Sequence, residues 1–144
     1  MNDRFKVRGM TLGGKWVYGN LAVINKKIKP YRITIDEGYY ISNTVGMPFA
    51  YPVRPETIGQ CTGLKDKNGN LIYEGDVIQF TRNRGYFTNK GDIRVVEFSA
   101  FRFCGFGWRS RPENNVEFAL TESAAKQCVV IGNIHEQAEQ KDVK

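Results

Sequence analysis

Histidine, cysteine and long apolar runs are what this sequence has least of, and each shortage closes off some chemistry. Among 144 residues there is one histidine, His135. Any Ser-His-Asp or Cys-His arrangement must pass through it, and a two-histidine metal site is excluded. The three cysteines, Cys61, Cys104 and Cys128, lie far apart and form no CxxC pair. They read as buried, reduced thiols rather than zinc ligands. No apolar run approaches the roughly 20 residues that cross a bilayer. Met1-Asn2-Asp3-Arg4 leads into no apolar signal segment, so the expected location is the cytoplasm. Phosphate-cradling loops are missing too. Gly13-Gly14 is followed by Lys15-Trp16, without the GKS or GKT ending of a P-loop, and no dinucleotide fingerprint lies between a strand and a helix. Neither a cofactor nor a metal is expected.

What is present is strand pattern and turn chemistry. The hydrophobic share of 41% and charged share of 25% are those of an ordinary globular chain, long enough to bury a core without staples. Phe5 and Val7 alternate with Arg4, Lys6 and Arg8, which predicts a half-buried strand with a charged outer face. Lys15–Asn20 and Leu21–Ile24 read as strands, with Trp16 and Tyr18 facing inward. Tyr31, Ile33 and Ile35 alternate with Arg32 and Thr34, predicting another strand, and Tyr39-Tyr40-Ile41 a short one. Pro48, Pro52 and Pro55 exclude a helix and a central strand, so residues 42–54 read as a loop with extended pieces.

The organising stretch is Pro55–Phe80. Asn68-Gly69 sits between two short apolar runs, the signal of a hairpin closed by a type I′ turn with φ > 0 at both central residues. Glu74-Gly75-Asp76 marks a second reversal before Val77, Ile78 and Phe80. Beyond it, residues 81–92 read as a long loop. Ile93–Ser99 and Phe101–Trp108 read as strands, Cys104-Gly105-Phe106 as a strong bend, and Thr121 as the N-cap of the one short helix.

Three pieces of the chain resemble a known family. ETIGQ at Glu56–Gln60 with TGLKDKNGNLIYEGDVI at Thr62–Ile78 is similar to the central motif of the YopX family. RFKVRG at Arg4–Gly9 with KWVYGNL at Lys15–Leu21 resembles that family's opening, and VVIGNIHE at Val129–Glu136 its close. The resemblance spans almost the whole chain. It implies a β-rich phage or prophage protein for which no activity is established.

The predicted architecture is all-β with at most one short helix. An N-terminal β unit (residues 1–54) packs with a hairpin and a small SH3-like bent barrel (55–136), followed by a frayed polar tail (137–144). The expected function is that of a non-enzymatic accessory protein, binding a protein partner or itself. Tyr39, Tyr40, Phe49 and Tyr51 around the proline-rich segment suggest a surface for self-association into a homo-oligomer.

Charge supplies the alternative. The net +6 is uneven: residues 1–35 and 81–112 are basic, and 36–80 and 113–144 are acidic. Arg82, Arg84, Tyr86, Phe87, Lys90, Arg102, Arg109 and Arg111 interleave cations with rings in and near one loop. That is the chemistry that binds single-stranded nucleic acid. A small hydrolase is the third reading. Its acid–base candidates are Asp66, Glu74, Asp76 and His135, although turn-stabilising contacts account for the two aspartates more simply.

Overall fold

The computed structural model describes residues 5–43, 50–85, 88–99, 105–109 and 117–136. The chain divides into two compact units, Met1–Gln60 and Cys61–Lys144. Among the described residues strands dominate both, no helix is long, and the class is all-β as the alternation predicts.

The first unit is an antiparallel meander of β1 (Val7–Met10), β2 (Trp16–Ile24), β3 (Gly38–Ser42) and β4 (Ala50–Val53), each strand pairing with the next. Pro52 is tolerated because β4 lies at the end of this order, where a missing N–H costs no ladder bond. The following strand, β5 (Gly59–Lys65), starts in this unit, with Gly59 and Gln60 opposite Arg8 and Val7. Val17, Ile41 and Val53 form the core, and Val7, Tyr51 and Ile58 pack against it.

Two expectations reverse here. The inward side chain of β2 is Val17, while Trp16 is half-buried and Tyr18 exposed. Phe5 is 60% exposed and Arg8 only 7%, because β1 begins at Val7 and is flanked by both β2 and β5. Trp16 is used instead by Arg8, whose guanidinium carbon lies 4.8 Å from the ring centroid.

Residues 31–35 are not a strand. The β2 and β3 strands run out as an arm, and Ile28 and Ile35 exchange backbone hydrogen bonds of 3.1 and 2.8 Å. The Ile28–Ile35 register places Tyr31 and Arg32 as the two residues of the closing loop. The Ile33 N–H donates to the Pro30 carbonyl at 2.9 Å. Tyr31 has φ 50° and ψ 44°, and Arg32 has φ 71°. Two consecutive left-handed residues define a type I′ turn, here without the asparagine and glycine that tolerate it. At the root of the arm Gly19 is required for space, since a Cβ there would overlap the Ser42 carbonyl.

In the second unit β5 continues opposite β6 (Leu71–Tyr73), with Cys61 facing Tyr73 and Lys65 facing Leu71. The turn between them is not type I′. Gly69 alone is left-handed, at φ 84°, and Asn68 keeps a negative φ. The Gly69 N–H donates to the Asp66 carbonyl at 3.0 Å, and the Asp66 N–H to the Asn70 carbonyl at 2.8 Å. This is the three-residue hairpin loop, a type I turn followed by a left-handed glycine. The Asp66 carboxylate selects it by accepting the Asn68 and Asn70 N–H groups, each at 2.9 Å.

Glu74-Gly75 is a corner rather than a second hairpin. It delivers the chain into β7 (Asp76–Phe80), which pairs not with β6 but with β8 (Ile93–Val95) and with β12 (Cys128–Asn133). A second three-stranded sheet contains β9 (Glu97–Ser99), β10 (Gly105–Arg109) and β11 (Glu117–Ala119), with β10 in the middle. Only Val96 separates β8 from β9. It is 1% exposed, and its backbone pairs with Gly75 and Asp76, so the strand bends against the corner. Ahead of β12 stands one helix, α1 (Glu122–Ala125), capped as predicted by Thr121, whose hydroxyl accepts the Ala124 N–H at 3.1 Å. A helical turn follows at 134–136, where the Asn133 side chain accepts the N–H groups of His135 and Glu136. The core holds Ile72, Ile78, Phe80, Val96, Trp108, Leu120, Ala124, Ala125 and Cys128.

Candidate functional site

The loop after β7 carries the densest run of candidate binding residues, and its described backbone is pinned on both sides of residues 86–87. The Thr81 N–H and hydroxyl both donate to the Gln127 carbonyl, at 2.8 and 3.0 Å. The Arg84 N–H donates to the Thr88 carbonyl at 2.7 Å, the Lys90 N–H to Asn83 Oδ1 at 2.8 Å, and the Asn89 N–H to Asp92 Oδ2 at 2.9 Å. Thr88 is 2% exposed and anchors the folded-back segment.

That scaffold aims two arginines at one place. Arg84 Nη1 donates to Gln127 Oε1 at 2.6 Å and lies 3.4 Å from Ser123 Oγ. Both partners are neutral, so the guanidinium is oriented without its charge being cancelled. Arg82 is exposed, and among the described residues it has no hydrogen-bond or ion-pair partner.

The two arginines line a cavity of about 550 Å³, with Thr88 and Gln127 as further polar wall and Trp108 and Phe118 as apolar wall. A neighbouring cavity of about 520 Å³ shares Arg82 and Gln127 and adds Glu122, Ser123 and Lys126. Glu122 and Lys126 pair with each other at 3.1 Å, which leaves the arginines as the net charge of the groove. Trp108 is 4% exposed. Its ring stacks on Phe118 at 5.6 Å and leans on Phe80 at 5.0 Å. It is therefore wall rather than a platform for a stacked base. Its indole N–H is buried without a hydrogen-bond partner among the described residues.

The other predicted residues fall elsewhere. Lys90 sits exposed farther along the same loop. Arg109 follows Trp108 on β10, so strand alternation turns it to the opposite face. There it meets Glu97 at 3.3 Å and Glu117 at 3.6 Å, one on each neighbouring strand. Tyr86, Phe87, Arg102 and Arg111 lie outside the described residues. Sequence reasoning did not find Thr88, Ser123, Trp108, Phe118 or Gln127 as site residues. No local signal marks them, because Gln127 reaches Arg84 across 43 positions of chain.

Two of the four acid–base candidates, Asp66 and Asp76, are occupied by backbone N–H groups. Asp66, 4% exposed, accepts the Val130 N–H on Oδ2 at 2.9 Å besides the two turn amides on Oδ1. Asp76, 1% exposed, accepts the Tyr73 N–H on Oδ2 at 2.7 Å. Cys61 and Cys128 are buried free thiols, and Cys104 lies outside the described residues. Burial, reinforced by the charge of Asp66 and opposed by that of Arg84, pushes the Cys128 thiol up to about 11. Among the described residues no His, Cys, Asp or Glu group is arranged to hold a metal ion.

Of the aromatic residues around the prolines, Tyr51 packs on the core of the first unit. The Tyr40 hydroxyl donates to the Asp36 carbonyl at 2.8 Å. Tyr39 is 38% exposed, and Phe49 lies outside the described residues. No described helix is long and apolar enough to cross a membrane.

Comparison with known proteins adds a family. The model described as YopX protein matches residues 14–140. Among solved structures the chain is similar to protein EF1440 from Enterococcus faecalis, at 23% identity over 94% of this chain and 96% of that one, with a TM-score of 0.49. No match was found among curated proteins.

Proposed function

The chain belongs to the YopX family, and from that premise we propose that it is a phage or prophage accessory protein of the cytoplasm that acts by binding, not by catalysis. One observation carries the reading: Arg82 and Arg84 share a cavity, and no described carboxylate cancels either charge. A groove of that kind takes an anionic group. The engaged carboxylates of Asp66 and Asp76 support binding over hydrolysis. The fold reading that goes with it is a small bent barrel of the SH3-like sort, supported by the strand that turns at Val96 between two sheets.

The anion has two natural sources: acidic side chains of a protein partner, a second copy included, and the phosphates of a nucleic acid. The exposed Arg82 and Lys90 on one loop favour testing the phosphates first. Fluorescence anisotropy with labelled single- and double-stranded oligonucleotides across a salt series separates the two. Binding that falls steeply with salt and is lost in Arg82→Ala/Arg84→Ala assigns the groove to nucleic acid. Retention of polyglutamate in its place assigns it to an acidic protein surface. A protein that holds neither at low salt has no binding site there. Light scattering on the same sample reads self-association.

A further inference from the structure

The tip of the β2–β3 arm is built against turn chemistry, and that contradiction points to a second site. A two-residue type I′ loop selects asparagine and glycine, because both central residues must be left-handed. Here the two positions are Tyr31 and Arg32, which gain nothing as turn formers and are strained there. Neither side chain is held by the fold. Tyr31 is 97% exposed, and among the described residues neither it nor Arg32 has a partner. Strained residues that the protein does not itself use are the mark of a functional tip.

The surroundings identify what the tip meets. Lys26, Lys27 and Lys29 lie on the outgoing side of the arm and Arg32 at its end. Among the described residues only Lys27 has a carboxylate partner, Asp36 at 3.7 Å. A free ring flanked in sequence by Lys29 and Arg32 can stack on a base while the cations meet the adjoining phosphates. The buried ring of Trp108 in the other unit cannot do this. Insertion into lipid would require desolvating the apical guanidinium, whereas a phosphate leaves it paired.

We propose that the tip of the arm is a contact for single-stranded nucleic acid, with Tyr31 stacking on a base and Lys26, Lys29 and Arg32 neutralising phosphates. The site is separate from the Arg82–Arg84 groove and does not depend on what that groove binds.

The test replaces the tip by the sequence the turn prefers. Tyr31→Asn/Arg32→Gly removes the ring and its neighbouring charge while relieving the strain, so the variant is expected to fold at least as well. Anisotropy is read with an oligothymidylate of about fifteen nucleotides and with an abasic strand of equal length. The natural protein is expected to bind the oligothymidylate roughly tenfold more tightly than the abasic strand. The tip variant should erase that difference, Tyr31→Phe should keep it, and Arg82→Ala/Arg84→Ala should keep it too. No binding of oligothymidylate, equal binding of both strands, or a difference that survives in the tip variant would each overturn the proposal. So would binding to phosphatidylserine vesicles without binding to the oligonucleotide, which would assign the tip to a membrane surface.

Discussion

Two tight turns in this chain depart from what their sequences favour, in opposite ways. Asn68-Gly69, the pair that suits a type I′ turn, sits in a three-residue loop where only Gly69 is left-handed. Tyr31-Arg32, a pair that suits neither, closes a type I′ turn. The first turn is decided by tertiary contacts. Asp66 holds two turn amides and the Val130 N–H, and the Lys67 N–H donates to the Cys128 carbonyl at 2.9 Å, so β12 fixes the turn from outside. The second turn is decided by register, since among the described residues nothing packs on it. Turn chemistry can be overridden from the core side by buried contacts, and from the solvent side by whatever the exposed side chains are for.

The comparison breaks first at Asp66. In Asp66→Ala the Val130 amide loses its charged acceptor in a half-buried place and the two turn amides lose theirs. A hydrogen bond to a charged group contributes about 1.5–3 kcal/mol. The exposed turn amides regain water, so the half-buried Val130 bond carries most of the loss. That loss should be about 3 kcal/mol in urea unfolding, with Asp66→Asn intermediate because one carbonyl oxygen survives. A change below about 0.5 kcal/mol, the range of an ordinary surface substitution, would mean that the turn is held by its own sequence after all.

Gly69→Ala comes next. A Cβ at Gly69 meets nothing within 4 Å, so only the left-handed backbone opposes it. The expected cost is about 1–2 kcal/mol, and Gly69→Asn should recover part of it. If Gly69→Ala were neutral, Gly69 would not be what closes the turn.

At the tip the sign inverts. Tyr31→Asn/Arg32→Gly should stabilise the protein by about 1 kcal/mol, less than the 1–2 kcal/mol that each left-handed residue costs, because glycine also frees the unfolded chain. Thermal unfolding reads the gain as a rise in Tm. A fall would mean that Tyr31 and Arg32 make stabilising contacts, and the contrast between the turns would disappear.

Much of this was legible in the sequence, and the misses share one cause. Alternation located the strands, Thr121 announced its helix, and Asn68-Gly69 announced a hairpin. What local pattern cannot carry is the partner across the fold. The turn type at Asn68 depends on an aspartate that is itself docked on Val130, 64 positions away. Trp16 and Tyr18 look like core residues until β1 places Arg8 over Trp16 and leaves Val17 to face Ile41 and Val53. Residues 31–35 alternate like a strand, but only 33–35 return along the arm, and the reversal at Tyr31-Arg32 carries no turn residue to announce it. The same holds for the groove. Arg82 and Arg84 stand out as basic loop residues, whereas Gln127 and Ser123 acquire meaning only when the fold sets them against Arg84. Arg109, equally basic, is removed from that face by one step of strand alternation.

A last effect, confined to alkaline pH, lies beneath the pinned turn, where Asp66 and Arg84 act on Cys128. The thiol of Cys128 is 0% exposed as a residue and donates to the Ala125 carbonyl at 3.3 Å. Its pKa is pushed up to about 11 from 9.0, by burial first and the Asp66 charge second, with Arg84 pulling it back. The folded chain thus holds this proton more tightly than the unfolded chain does. Its contribution to stability is complete below about pH 9 and is lost as pH rises through about 11. Urea midpoints across that alkaline range should fall more steeply for the natural protein than for Cys128→Ala, whatever cavity the substitution leaves. Asp66→Asn should shorten the window from its upper end by removing a charge that opposes the thiolate, and Arg84→Ala should lengthen it. If the slope were unchanged in Cys128→Ala, the thiol would not be the group that titrates. If Arg84→Ala left the window where it was, the guanidinium would be turned toward the groove and away from the core, leaving its full charge to an incoming anion.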